Sequence, residues 1–181
     1  FAIPGGYTNP QPSPYGGGKQ VGAATGNISF GYYCGGSSPS TSEVLRHDYS
    51  NDNVNATLRC LLSKNRENTA ATGNLNFGYV AGTYYADTTI DRIDYDNDTA
   101  TASPKGNLAS GQYTAYNIAA AGTVNYGYFS GGYDWVNNTY KSSISRIDYA
   151  NDSVGASPKG NLGTAVGKHA AEGNADYGWH M

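Results

Sequence analysis

Asp94-Tyr95-Asp96-Asn97-Asp98 alternates three carboxylates, a spacing that can offer oxygens to Ca²⁺. A calcium loop needs about six or more oxygens, and neither a glycine nor a distal glutamate follows to complete one. The related segments keep two acids each, Asp48 with Asp52 and Asp148 with Asp152, so the plainer reading is a turn capped by Asn and Asp. His47, His169 and His180 stand far apart with no ligand spacing, and are expected as packed or solvated side chains rather than zinc or copper ligands. Ser and Asp occur throughout the turns, so no Ser–His–Asp set is singled out. No glycine run ends in the Lys-Ser/Thr of a phosphate loop. These residues predict neither an enzyme nor a cofactor.

Cys34 and Cys60 are the two cysteines. On a second and a fourth strand they would be separated by the third, whereas a disulfide needs Cα atoms within about 7 Å. Two small buried thiols are the main expectation, with a Cys34–Cys60 disulfide as the alternative. Asn27, Asn55, Asn97, Asn137 and Asn151 open Asn-x-Ser/Thr triplets, which a chain this rich in Asn, Ser and Thr forms by chance.

Tyrosine is the strongest surface signal, with 17 copies. Tyr84, Tyr85, Tyr133, Trp135 and Tyr140 fall between a second and a third strand, where loops project. Tyr and Trp among Asn, Ser and Gly make rigid amphipathic contacts at low entropic cost, and their faces suit sugar rings. The competing reading folds them back onto their own sheet as core.

The elements that would carry these residues repeat. Phe30-Gly31-Tyr32-Tyr33-Cys34-Gly35-Gly36, Phe77-Gly78-Tyr79-Val80-Ala81-Gly82, Tyr126-Gly127-Tyr128-Phe129-Ser130-Gly131-Gly132 and Tyr177-Gly178-Trp179-His180-Met181 share one pattern. Their leading aromatics are 47, 49 and 51 residues apart. Such a period marks units that bury their apolar faces only against neighbours. The first strands are expected at 19–25, 66–72, 113–121 and 166–172, each followed by a turn whose Gly26, Gly73, Gly122 or Gly173 would take a positive φ. The aromatic phrase is the second strand, with Tyr126, Tyr128 and Ser130 on one face and Gly127, Phe129 and Gly131 on the other. A column of glycine implies something packed against bare backbone.

Ile90-Asp91-Arg92-Ile93-Asp94-Tyr95 and Ile144-Ser145-Arg146-Ile147-Asp148-Tyr149 form the third strand, with Val44-Leu45-Arg46-His47-Asp48-Tyr49 a looser copy. Arg46 with Asp48, Arg92 with Asp94 and Arg146 with Asp148 share a face, where they can pair side by side or each meet a partner in the next unit. Fourth strands are expected at 99–103 and 153–157, ended by Pro104-Lys105-Gly106 and Pro158-Lys159-Gly160. Residues 1–18 are rich in Pro and Gly, yet Phe1-Ala2-Ile3-Pro4-Gly5-Gly6-Tyr7 reads as a worn second strand.

Four short antiparallel strands per unit predict an all-β β-propeller of about four blades, which the resemblance described next makes a kelch-like one. The units run 19–62, 63–110, 111–163 and a partial 164–181, the last completed by residues 1–18 or by a neighbouring subunit. The glycine pair after an aromatic strand and the Asp-Tyr before a turn resemble the kelch repeat, although the Trp usual in its fourth strand is absent. Asp91-Arg92-Ile93-Asp94-Tyr95-Asp96-Asn97-Asp98-Thr99-Ala100-Thr101-Ala102-Ser103 and Asn74-Leu75-Asn76-Phe77-Gly78-Tyr79 resemble, more specifically, repeats in kelch-like virion and tail-fibre proteins of marine tailed phages of the cyanophage type. That resemblance covers roughly residues 19–181. It implies a non-catalytic virion-surface or extracellular protein, oligomeric with other virion or fibre subunits and contacting host glycans. A secreted fibre subunit assembling by strand exchange is the alternative reading, and an enzyme on a propeller scaffold the third.

The bulk composition agrees with an ordered, turn-rich chain. There are 25 glycines among 181 residues and only 14% charged residues. A net charge of −3 with no basic block gives no reason to expect nucleic acid. No apolar run approaches the roughly 18 residues needed to cross a bilayer, so no membrane partner is expected.

Overall fold

The computed structural model describes residues 22–37, 39–83, 87–112 and 115–181. The N-terminal segment 1–18, with its worn strand phrase, lies outside the described residues, as do Tyr84 and Tyr85. The fold is all-β, built of four-stranded antiparallel sheets. No described helix is long and apolar enough to cross a membrane.

The first module pairs β1 (Ala23–Gly26), β2 (Phe30–Cys34), β3 (Thr41–Asp48) and β4 (Thr57–Arg66) in sequence order. The second repeats the order with β5 (Ala70–Gly73), β6 (Phe77–Ala81), β7 (Thr89–Asp94) and β8 (Ser103–Asn107). The third holds β9 (Ala115–Tyr116), β10 (Ala119–Gly122), β11 (Tyr126–Ser130), β12 (Tyr133–Asp134), β13 (Thr139–Asp148) and β14 (Ser157–Val166). Its sheet runs β10-β11-β13-β14, and β12 and β9 extend the early part of β13. The fourth is a hairpin of β15 (Ala171–Gly173) and β16 (Gly178–His180).

Successive first strands pack side by side, β1 by β5, β5 by β10 and β10 by β15. They line a groove of about 410 Å³ whose walls include Thr25-Gly26, Thr72-Gly73, Ala121-Gly122 and Glu172-Gly173 from the four modules. The sheets do not close into a ring among the described residues. The core lies between sheets rather than within one. Tyr32, Val44 and Leu62 meet Val80, Ile93 and Tyr95 across the first seam; Tyr79, Ile90 and Leu108 meet Phe129, Ile147 and Tyr149 across the second. Backbone bonds repeat along these seams, from Ala102 N to Leu61 O and from Ala156 N to Asn107 O, each 2.8 Å.

The glycine column explains why the sheets come so close. A Cβ on Gly78 would meet Thr25 Cγ2 at 2.6 Å and Tyr95 Oη at 2.7 Å; one on Gly127 would meet Thr72 Cγ2 at 2.6 Å and Tyr149 Oη at 2.9 Å. The bare backbone is covered by a tyrosine of its own sheet and a threonine of the sheet before. Thr25 Oγ1 lies 2.8 Å from Tyr95 Oη, and Thr72 Oγ1 lies 3.0 Å from Tyr149 Oη, so both buried phenols have a partner.

Three expectations need correction. The glycines of the first hairpin turn do not take positive φ; that conformation falls at the second-strand exits, Gly35, Gly82 and Gly131 among them. Gly26 and Gly73 are required instead by close approach to the carbonyls of Phe30 and Phe77 across the hairpin. The turn itself is held by side chains: Asn74 Oδ1 accepts from Asn76 N and Phe77 N, and Asn27, Thr123 and Asn174 do the same in their modules. Second, the fourth strands begin where 99–103 and 153–157 were expected to end. β8 and β14 run through Pro104 and Pro158, which an outer strand tolerates because its N–H edge need not pair. Third, the first strands are shorter than expected. Arg66 belongs to β4, and Asn68 and Asn117, at φ 56°, break the chain before β5 and β10 begin.

Candidate functional site

The first two seams are each closed by one aspartate. Asp98, in the turn after β7, accepts from Tyr32 Oη at 2.9 Å, Arg46 Nη1 at 2.8 Å and Arg59 Nη2 at 2.6 Å, all from the module before. Asp152 stands in the same place one module later. It accepts from Tyr79 Oη at 2.9 Å and Arg92 Nη1 at 2.7 Å, with Lys105 Nζ 3.9 Å away. A second-strand Tyr, a third-strand Arg and a fourth-strand cation thus form a carboxylate clamp. The arginines are steadied from below, Arg46 over Phe30, Arg92 over Phe77 and Arg146 over Tyr126, 4.2–4.4 Å from the ring centroids.

Of the two pairings open to the third-strand Arg-x-Asp motif, Arg46 and Arg92 take the partner in the next module. Asp48, Asp94 and Asp148 stay in their own sheets. Their Oδ1 atoms accept from Ser50 N, Asp96 N and Ala150 N and so start the turn, which in the second and third modules carries the clamp aspartate. Asp94, Asp96 and Asp98 therefore do separate jobs. No group of three or more His, Cys, Asp or Glu converges as a metal site among the described residues.

The electrostatics follow the geometry. Burial pushes the Asp98 carboxyl up, but the bonds from Arg59, Tyr32 and Arg46 outweigh it and hold the group below the usual carboxylate range. Burial and the adjoining carboxylates raise the Tyr32 and Tyr79 phenols, so they remain donors. The seam between modules one and two has a second ion pair, Arg66 Nε to Asp91 Oδ2 at 3.0 Å, with both side chains fully buried. Nothing in the spacing of Arg66 and Asp91 pointed to it.

The aromatic residues expected in a projecting loop are partly brought together. Tyr133 pairs with Tyr116 on β9 and with Tyr140 on β13, ring centroids 5.6 and 5.0 Å away and both edge-on. With Asn117 and Lys168 these three tyrosines line a recess of about 200 Å³. Asp134 fixes the turn beside it, accepting from Val136 N, Asn137 N and Lys141 Nζ at 3.0, 3.1 and 2.9 Å. Tyr133 Oη donates to Asn138 Oδ1. Trp135 lies outside the recess, half-exposed beside Val136. Tyr116, Asn117 and Lys168 were not singled out from sequence; Asn68, Asn117 and Lys168 share a positive φ at one place in the repeat, which residue spacing does not announce.

One further grouping was not foreseen, while the cysteines follow the main expectation. His169 and His180, 11 positions apart, converge on Ser130: Oγ lies 3.1 Å from His169 Nε2 and 2.7 Å from His180 Nδ1. Ser130 is fully buried, so this is a polar seam between modules three and four with no hydroxyl open to substrate. Cys34 and Cys60 form no disulfide; both thiols are free and buried. Each pairs with Val44, from opposite sides, so the third strand stands between them. Burial raises both thiols, that of Cys60 to about 11.

No protein-family model matches the chain, and no curated protein matches it significantly.

Proposed function

We propose that this chain is a non-catalytic, repeat-built structural module, a kelch-like run of propeller blades displayed on a virion or otherwise outside the cell as part of a tail fibre or capsid-surface fibre. The clamp carries this reading. Two seams use one Tyr–Arg-to-Asp device, which makes each sheet a unit to be followed by another and spends the buried charge on assembly. The phage resemblance of the Asp91–Ser103 phrase supplies the setting.

The recess of Tyr116, Tyr133 and Tyr140 is the surface for host glycans. Its rings offer apolar faces, and Asn117 and Lys168 offer polar atoms, in a shallow site suited to one ring of a sugar chain. A glycan array probed with the full chain and with Tyr133→Ala and Tyr140→Ala variants tests this. Glycan signals lost in both variants support it; signals unchanged in both, or none with the parent chain, contradict it. A second reading, a secreted fibre subunit joined by strand exchange, draws on β16, whose strand partner among the described residues is β15 alone.

A further inference from the structure

The seam between the third and fourth modules differs from the one before it at three residues that touch. Counted from the paired glycines of each hairpin, Ser130, His169 and His180 hold the places that Ala81, Ile118 and Phe129 hold one seam earlier. A Cβ on Gly82 would meet Ile118 Cδ1 at 3.0 Å, and one on Gly131 would meet His169 Cε1 at 2.7 Å, so the two side chains cover the same bend. The earlier trio belongs to one buried apolar cluster. The later trio meets at a single atom, Ser130 Oγ, 3.1 Å from His169 Nε2 and 2.7 Å from His180 Nδ1.

Packing does not account for this exchange. Ala81, Ile118 and Phe129 fill the same place with no polar side-chain atom to satisfy. The polar trio does not satisfy itself: the Ser130 hydroxyl has one proton for two imidazole nitrogens, and His169 Nδ1 is buried with no partner among the described residues. What the exchange does achieve is convergence. Two imidazole nitrogens, from the residues that flank one hairpin, face one point beside a hydroxyl of the preceding module.

We propose that His169 Nε2, His180 Nδ1 and Ser130 Oγ bind one Zn²⁺-class divalent cation, which pins the β15–β16 hairpin to β11. Imidazole suits Zn²⁺, Cu²⁺ and Ni²⁺ rather than Mg²⁺ or Ca²⁺, which take carboxylates and carbonyls. The cation accepts the lone pairs that both rings now aim at the hydroxyl, and water completes a tetrahedral shell. All three ligands lie on β11 and the β15–β16 hairpin with its flank, so the site needs no other segment. Because the ligands are brought together only by folding, the bound cation stabilises the folded chain. This site goes beyond the fibre reading and is independent of the glycan recess.

The untagged full chain, stripped of metal, is titrated with ZnCl₂ at pH 7.5, where an imidazole of ordinary basicity has a free lone pair, and followed by calorimetry and thermal melting. Saturable one-to-one binding is expected, with a melting temperature that rises with Zn²⁺ and not with Mg²⁺. His169→Ile and His180→Phe each import the residue found at the same place one seam earlier, so they remove a ligand and keep the packing. Both should retain the parent's circular dichroism and weaken Zn²⁺ binding about tenfold or more, the loss that even an outer-shell change brings at a metal site. His47→Ala, on β3 of the first module, should bind as the parent does. No saturable binding by the parent, or parent-like binding by both His169→Ile and His180→Phe, overturns the proposal.

Discussion

Tyr79 lies flat on Tyr149 across the seam between the second and third modules, ring centroids 4.7 Å apart and planes 10° from parallel. Tyr32 and Tyr95 repeat the stack one seam earlier at 4.7 Å and 13°. In each pair one hydroxyl turns to the clamp aspartate and the other to a threonine of the preceding first strand. The stack thus joins the clamp on one side of the seam to the glycine column on the other. The seam, not the single sheet, is the unit of stability.

Asp98→Asn keeps the size of the side chain and removes its charge. Arg46 and Arg59 are about a quarter exposed, so the loss should fall near the low end for a broken buried pair, about 2–3 kcal/mol. Asp52, exposed at the start of the series, should change stability by no more than about 0.5 kcal/mol when made Asn. Urea unfolding of both variants checks the contrast.

Acid should act through the same group. A carboxyl held below its unfolded value of about 3.9 contributes stability that is present above that pH and lost as pH falls through the folded value. The parent chain should therefore lose more urea resistance between pH 6 and pH 3 than Asp98→Asn does. Parallel curves for the two would remove Asp98 from the account.

Gly78→Ala should cost about 1–3 kcal/mol, because the new methyl meets Thr25 and the Tyr95 hydroxyl across a closed seam. Gly160→Ala, with open space around it, should be close to neutral. Thermal melts of the two variants should separate clearly.

Much of this was legible in the residues, and the failures have physical reasons. The Gly31, Gly78 and Gly127 column announced a close-packed face, and the period-2 pattern of Ile144, Arg146 and Ile147 fixed which side chains share a face. What failed depended on partners distant in sequence. Pro104 read as a strand end because a proline is costly in a central strand, and only the sheet order shows β8 to be an outer one. Arg92 left two partners open, and the structure selects Asp152, 60 positions on, rather than Asp94, two residues away. His169 and His180 looked unrelated until the β15–β16 hairpin folded them onto Ser130.

That histidine seam should respond to pH. Burial lowers the basicity of both imidazoles, and their proximity lowers that of His169 further. A histidine held below its ordinary value of about 6.5 contributes stability above that pH and loses it as pH falls. Hydrogen exchange at Ala171–His180, corrected for intrinsic rate, should accelerate between pH 7.5 and pH 5 while β6 and β7 stay protected. Equal protection of the β15–β16 hairpin at both values would contradict this.

The most direct measurement is a double-mutant cycle on Tyr79→Phe and Asp152→Ala, which removes from either side the 2.9 Å bond joining modules two and three. A coupling energy of about 1 kcal/mol or more is predicted, against nearly none for Tyr32→Phe with Asp152→Ala, whose partners belong to different seams. Strict additivity of Tyr79→Phe and Asp152→Ala would contradict the claim that these clamps hold the sheets together.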